Sequence, residues 1–270
     1  MSIDVRLERL YDRIELVPGV GDPRRGKLCV MSLVAFLAGE AHSDTPRTAS
    51  PLICTYAVPA NDGMDSLTRQ KLKPFAPRII GTADGRDGER AALLYKAMVE
   101  EVFPEALRDL QQGFAPIPRG QAAGQLFLLW PQLKTAEPDQ LLAALRQADR
   151  DDSRLIDALR NVVRAYVCGM YGPMAEAAAR LIVVAAQNAP SPSREVWYWN
   201  KAIDLLDRLC DVGADERVPD VKHDRVALME TILDTRDKGD NGPRGPIAGD
   251  PAKATGATPI LSKFAPWSAI

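Results

Sequence analysis

Apolar residues recur along this chain at helical intervals. Ile3, Leu7, Leu10, Tyr11 and Ile14 share one face, with Ser2 placed to cap and Pro18-Gly19 to stop, which predicts a first amphipathic helix. From Leu28 to Ala38 every residue but Ser32 is apolar, predicting a helix buried on all sides, with Gly39 as its C-cap. Ser50-Pro51 has the form of a hydroxyl cap and a first-turn proline, so Leu52 to about Ala57 is predicted helical. Pro59-Ala-Asn-Asp-Gly63 is then expected to turn the chain, and a short helix follows from Asp65. Pro74 and Pro77 break the next run and leave Ile79 and Ile80 as core anchors.

Asp87 to Glu101 puts Leu93, Leu94, Ala97, Met98 and Val102 on one stripe, with Asp87 as cap. Pro104 is expected to end or kink that helix before it continues through Leu110. Further helices are predicted over Gln125 to Trp130, Asp139 to Ala148, Ser153 to Cys168, Met174 to Gln187, Arg194 to Val212 and His223 to Leu233. Gly169, Gly172, Pro173, Pro190, Pro192, Gly213 and Pro219 separate them. The expected fold is all-α, a mainly antiparallel multi-helix assembly with an irregular C-terminal tail. Composition divides it into an N-terminal helical subdomain (1–112), a Gly- and Pro-rich linker (113–124), a C-terminal helical subdomain (125–235) and the tail (236–270). Within the tail Ile260, Leu261, Phe264, Trp267 and Ile270 are large apolar groups, so residues 260–270 are expected to dock on the chain itself or on a partner.

At 270 residues and 46% hydrophobic content the chain can bury a real core without disulfides or metal. Lys and Arg number 34 against 36 Asp and Glu, a net charge of -2, which offers no field for a polyanion, so no nucleic-acid partner is expected. The longest apolar run falls short of the roughly 20 residues that cross a bilayer, so no membrane span is expected. The N-terminus mixes acids and bases without the basic-then-apolar order of a secretory signal. Cys29, Cys54, Cys168 and Cys210 are far apart and form no Cys-x-x-Cys pair, which points to buried structural thiols in a reducing, cytoplasmic setting. No cofactor signature is present, and none is expected.

Glu40, His42 and Asp44 alternate just past the second helix. On an extended segment they would face one way, where two carboxylates stabilise an imidazolium for acid-base work or join it in holding a metal ion. Against this, Gly39 and Glu40 can finish the helix while Ser43, Asp44 and Thr45 cap the turn into Pro46, and polar side chains at helix ends usually serve the backbone in this way. A nucleophile at Ser32, Ser43 or Cys54 would need His42 as its base. The other histidine, His223, reads as an exposed residue at a helix start; a site with both would require the last helix to fold back on the Cys29–Pro46 segment. Gly81 to Gly88 matches no phosphate-loop pattern and reads as a turn. Asp234, Asp237 and Asp240 lack calcium-loop spacing and read as solvated. One or two of Trp197, Tyr198 and Trp199 should be core.

Cys29 to Thr82, with Met31-Ser-Leu-Val-Ala, Ala38-Gly-Glu-Ala-His-Ser-Asp, Ser50-Pro51, Asn61-Asp62 and Pro77-Arg-Ile-Ile-Gly-Thr82, resembles a segment of a bacterial protein family of unassigned function. The resemblance implies no activity and no residue roles; it implies that the Gly39–Asp44 and Asn61-Asp62 turns form one local unit. The expected function is a non-enzymatic binding or adaptor protein recognising another protein, with Phe264, Trp267 and Ile270 as partner-binding residues. The alternative is a hydrolytic or metal-assisted enzyme with Glu40, His42 and Asp44 at its centre.

Overall fold

The computed structural model of the protein describes residues 3–113, 121–147 and 154–240. Residues 114–120 of the expected 113–124 linker and the tail beyond Asp240, with Phe264, Trp267 and Ile270, lie outside the described residues. The assembly is mainly helical. Its helices are α1 (Ile3–Arg13), α2 (Val30–Leu37), α3 (Pro51–Gly63), α4 (Ser66–Gln70), α5 (Phe75–Ile79), α6 (Asp87–Ala97), α7 (Phe103–Gly113) and α8 (Gln121–Leu133). They continue with α9 (Pro138–Gln147), α10 (Arg154–Val167), α11 (Tyr171–Gln187), α12 (Pro192–Asp211) and α13 (His223–Asp240). A small sheet, not foreseen by the pattern, joins β1 (Glu15–Leu16), β2 (Gly21–Asp22) and β3 (Lys27–Leu28). The central β3 runs parallel to β1 and antiparallel to β2.

Helix α2 is the buried rod that its apolar circumference predicts, with Val30 to Ala35 and Leu37 inaccessible apart from half-buried Phe36. Gly39 ends it at φ 76°, a conformation glycine adopts without strain. Helix α3 departs from expectation: it does not stop before Pro59 but runs through it to Gly63. Two things keep it going. Leu52, Ile53, Tyr56, Ala57 and Ala60 are buried, with α11 and α2 packed against the helix. At its far end the buried Arg69 guanidinium donates to the carbonyls of Asn61 (2.7 Å) and Met64, groups a helix end otherwise leaves orphaned. Gly63 lets α11 come close, since a Cβ there would sit 2.7 Å from Val183.

Pro104 also fails to stop its helix. α6 passes into a π-turn at Met98–Val102 and on into α7, the Phe103 N–H donating to Met98 in place of Val99. In that wider register the carbonyl of Val99 would look to residue 104, which has no N–H. The indole of Trp130 supplies the donor instead, at 3.1 Å, and its ring packs 4.5 Å from Phe103. One proline thus creates the acceptor by which α8 is docked.

Asp87, read as a cap for α6, begins that helix and caps α3 instead: it accepts from Ser50 Oγ (2.5 Å) and Leu52 N–H (3.4 Å). The π-turn and α7 are bridged to α12 by a ladder of charges running in opposite directions. Glu101 meets Arg208 (2.9 Å) and Lys201 (3.1 Å), Glu105 meets Arg194 (3.0 Å), and the buried Asp109 accepts from Arg194 (2.8 Å) and Tyr198 (2.6 Å). Tyr198 and Trp199 are core, while Trp197 is half-buried beneath the Arg194 guanidinium. The buried apolar side chains from Leu7 to Leu233 form one continuous cluster, to which helices on both sides of residues 113–124 contribute.

Two further expectations are corrected at the C-terminal end. α13 extends beyond Leu233 to Asp240, so residues 236–240 are helix rather than irregular tail. Asp234 and Asp237 are not simply solvated: both pair with Arg13, at 2.7 and 2.9 Å.

Candidate functional site

The segment between α2 and α3 carries the predicted cluster, and its three members turn to three different partners. Glu40 accepts backbone N–H bonds from Arg47 (2.7 Å) and Thr48 (2.9 Å), closing the loop on itself. His42 is exposed, with Nε2 3.3 Å from the Gly21 carbonyl, which ties the loop to β2. Asp44 is half-buried and its charge bears on Cys29 and Cys54. Ser43 Oγ accepts from the Thr45 N–H at 3.0 Å, a local turn bond. Glu40 and Ser43 are thus taken up by backbone N–H groups, and His42 meets one carbonyl.

The nucleophiles considered with His42 are equally engaged. Ser32 is buried, and Cys29 Sγ accepts its N–H at 3.3 Å as the cap of α2. Burial, reinforced by the carboxylate of Asp44, pushes the Cys54 thiol up to about 12, far from the thiolate a nucleophile requires. Cys210 is pushed to about 12 by the same burial. Cys168 is the exception among the four, being exposed.

Asn61 and Asp62 lie in the last turn of α3, not in a separate turn, and their hydrogen bonds reach Val17, Gly19 and Val30 rather than the Gly39–Asp44 segment. Asn61 accepts from the Val30 N–H (3.2 Å) and donates to the Val17 carbonyl (2.9 Å), while Asp62 accepts from the Gly19 N–H (2.9 Å). Gln70 adds a second amide clamp, accepting from Leu16 N–H and donating to Leu16 O. These side chains hold the β1–β2 connection against the start of α2.

The last helix does fold back. The Lys222 N–H donates to the Leu37 carbonyl at 2.8 Å, and Gly39 lies against the side chains of Lys222 and Arg225. His223 itself is exposed at the first position of α13. Among the described residues no group of three or more His, Cys, Asp and Glu side chains could hold a metal ion, and no helix is long and apolar enough to cross a membrane.

The surface feature that pattern reading passed over is on α8. Leu128 is 77% and Leu129 49% exposed, while Leu126 and Trp130 on the same helix are buried. A signal existed: Leu126-Phe-Leu-Leu-Trp130 puts five apolar residues in succession, more than one helical turn, so some must face outward. Compared with protein-family models, with curated proteins and with solved structures, the chain matches none of them, and the case for its function rests on the residues just described.

Proposed function

We propose that this chain is a non-enzymatic binding protein that recognises another protein through the exposed leucines of α8. The observation that carries the reading is the pair Leu128 and Leu129, displayed on a helix whose opposite side is anchored by Trp130. Adjacent large aliphatic side chains on an ordered helix keep apolar surface in water until a partner covers it. Commitment of Glu40 and Ser43 to backbone bonds removes the main support for the enzymatic alternative. Four free cysteines fit a reducing compartment such as the cytoplasm. The C-terminal residues Phe264, Trp267 and Ile270 are proposed as a second, separable contact.

The experiment is photo-crosslinking from position 132, exposed on α8 one turn beyond Leu128, in cells, in the full chain and in the chain carrying Leu128→Glu and Leu129→Glu, with a third arm lacking residues 264–270. A discrete adduct with one other protein, reduced at least about tenfold by the leucine substitutions at unchanged thermal stability, is expected. An adduct only with a second copy of the chain, or one insensitive to the substitutions, overturns the reading.

A further inference from the structure

Helix α13 is the last described element, and it lies across the first. Val226, Met229 and Leu233, at positions i, i+3 and i+7, are its fully buried side chains. That is the spacing by which a helix sets three anchors into a groove. The groove is formed by α1, the 3-10 turn Pro23–Arg25 and α2, all of which α13 contacts. Leu233 fits so tightly over Gly26 that a Cβ there would come within 2.5 Å of its Cδ2. At the opposite end the Lys222 N–H satisfies the Leu37 carbonyl of α2.

The rim of the groove is cationic and α13 answers it with acids. Glu230 meets Arg6 at 2.5 Å, and Asp234 and Asp237 meet Arg13 at 2.7 and 2.9 Å. The acids are three and four residues apart, one stripe beside the anchors. These pairs are half in water, with side chains 23–59% exposed, so they select the charge of an occupant more than they hold it. α13 is thus retained by a narrow apolar stripe, screened charges and the bonds of Arg236 and Arg225 to the carbonyls of Arg25 (3.2 Å) and Gly39 (3.5 Å), few enough for a segment to open on its own.

The connection to α12 sets how far it can move. Arg217 is tied to the carbonyls of Val212 (2.9 Å) and Cys210 (2.5 Å), which leaves residues 218–222 as the tether, with Val218 91% exposed, Val221 against the core and the Lys222 bond to Leu37 at its end. Five extended residues reach about 17 Å, enough to swing α13 off the groove but short for exchange with another molecule.

We propose that this groove is a helix-binding site which α13 occupies in cis, and that an acidic helix of a partner protein, carrying the same three-anchor stripe, displaces it. The site is distinct from α8 and does not depend on the reading given to Leu128 and Leu129. The test uses a fluorescein-labelled peptide of residues 221–240, titrated into the full chain and into a Val226→Asp, Leu233→Asp variant whose own α13 has lost its anchors. The variant should bind the peptide at least about tenfold more tightly than the unaltered chain. A peptide with Glu230→Lys, Asp234→Lys and Asp237→Lys should bind at least about tenfold more weakly. No gain in the variant, or equal binding of the charge-reversed peptide, overturns the proposal. Amide exchange of the unaltered chain keeps the test independent of whether the variant folds. Residues 223–237 should exchange at least about a hundredfold faster than α3 and α11; equal protection, or dimers formed by exchanged α13, overturns it.

Discussion

Arg90 is wholly inaccessible, and its guanidinium is fully used. It forms a two-point contact with Asp84 (2.6 and 2.7 Å) and donates to the carbonyls of Thr82, Leu209 and Val212. Arg90→Met strands those acceptors and is expected to cost about 3–5 kcal/mol in denaturant unfolding. The hydrogen bonds from Arg90 hold the Asp84 carboxyl down at about 2. A carboxyl depressed in the folded state stabilises above its unfolded pKa, so stability should fall as pH drops from about 4 towards 2. In Arg90→Met that dependence should shrink, which acid titrations of the two proteins would read. Around the predicted cluster the expectation is lopsided. Glu40→Ala, which releases two N–H groups, should cost about 1–2 kcal/mol and speed alkylation of Cys54, whereas His42→Ala should stay within about 0.5 kcal/mol. The turn-capping role of Ser43 was legible in the sequence because a hydroxyl just past a helix end has few other uses, whereas the reach of Glu40 to Arg47 and Thr48 was not. Arg90 was not, because an arginine within a helical pattern reads as solvated until Leu209 and Val212, more than a hundred residues later, close over it.

Among the elements, the helices announced themselves by period, while their ends did not where a distant group decided them. α3 outruns Pro59 because α11 and Arg69 support it, and α13 outruns Leu233 as Arg13 meets Asp234 and Asp237. The π-turn offers a sharper case, since Pro104, the orphaned Val99 carbonyl and the Trp130 indole act as a set. Trp130→Phe removes the donor and should cost about 1–3 kcal/mol in chemical denaturation. Pro104→Ala restores an N–H where that carbonyl can receive it, so the tryptophan change should cost less in the alanine background. A double-mutant cycle with no coupling between the two positions would refute this account of the turn.

For the whole molecule, the mainly helical architecture followed from the sequence, but the packing of early helices on late ones did not. α3 lies on α11, Tyr56 donates to the Ala202 carbonyl of α12 at 3.0 Å, and one apolar cluster runs through them. Unfolding followed by far-UV circular dichroism and by tryptophan emission should therefore coincide. Separate transitions would mean that residues 1–112 and 125–235 unfold as independent bodies. The pairing of α1 with α13 also has a consequence in time. Arg6 and Glu230 are 224 residues apart, so at synthesis rates of about 5–20 residues per second α1 leaves the ribosome about 10–45 s before its cover exists. During that interval α1 has no α13 to pack against, and the face of it that α13 meets stays open to premature contacts.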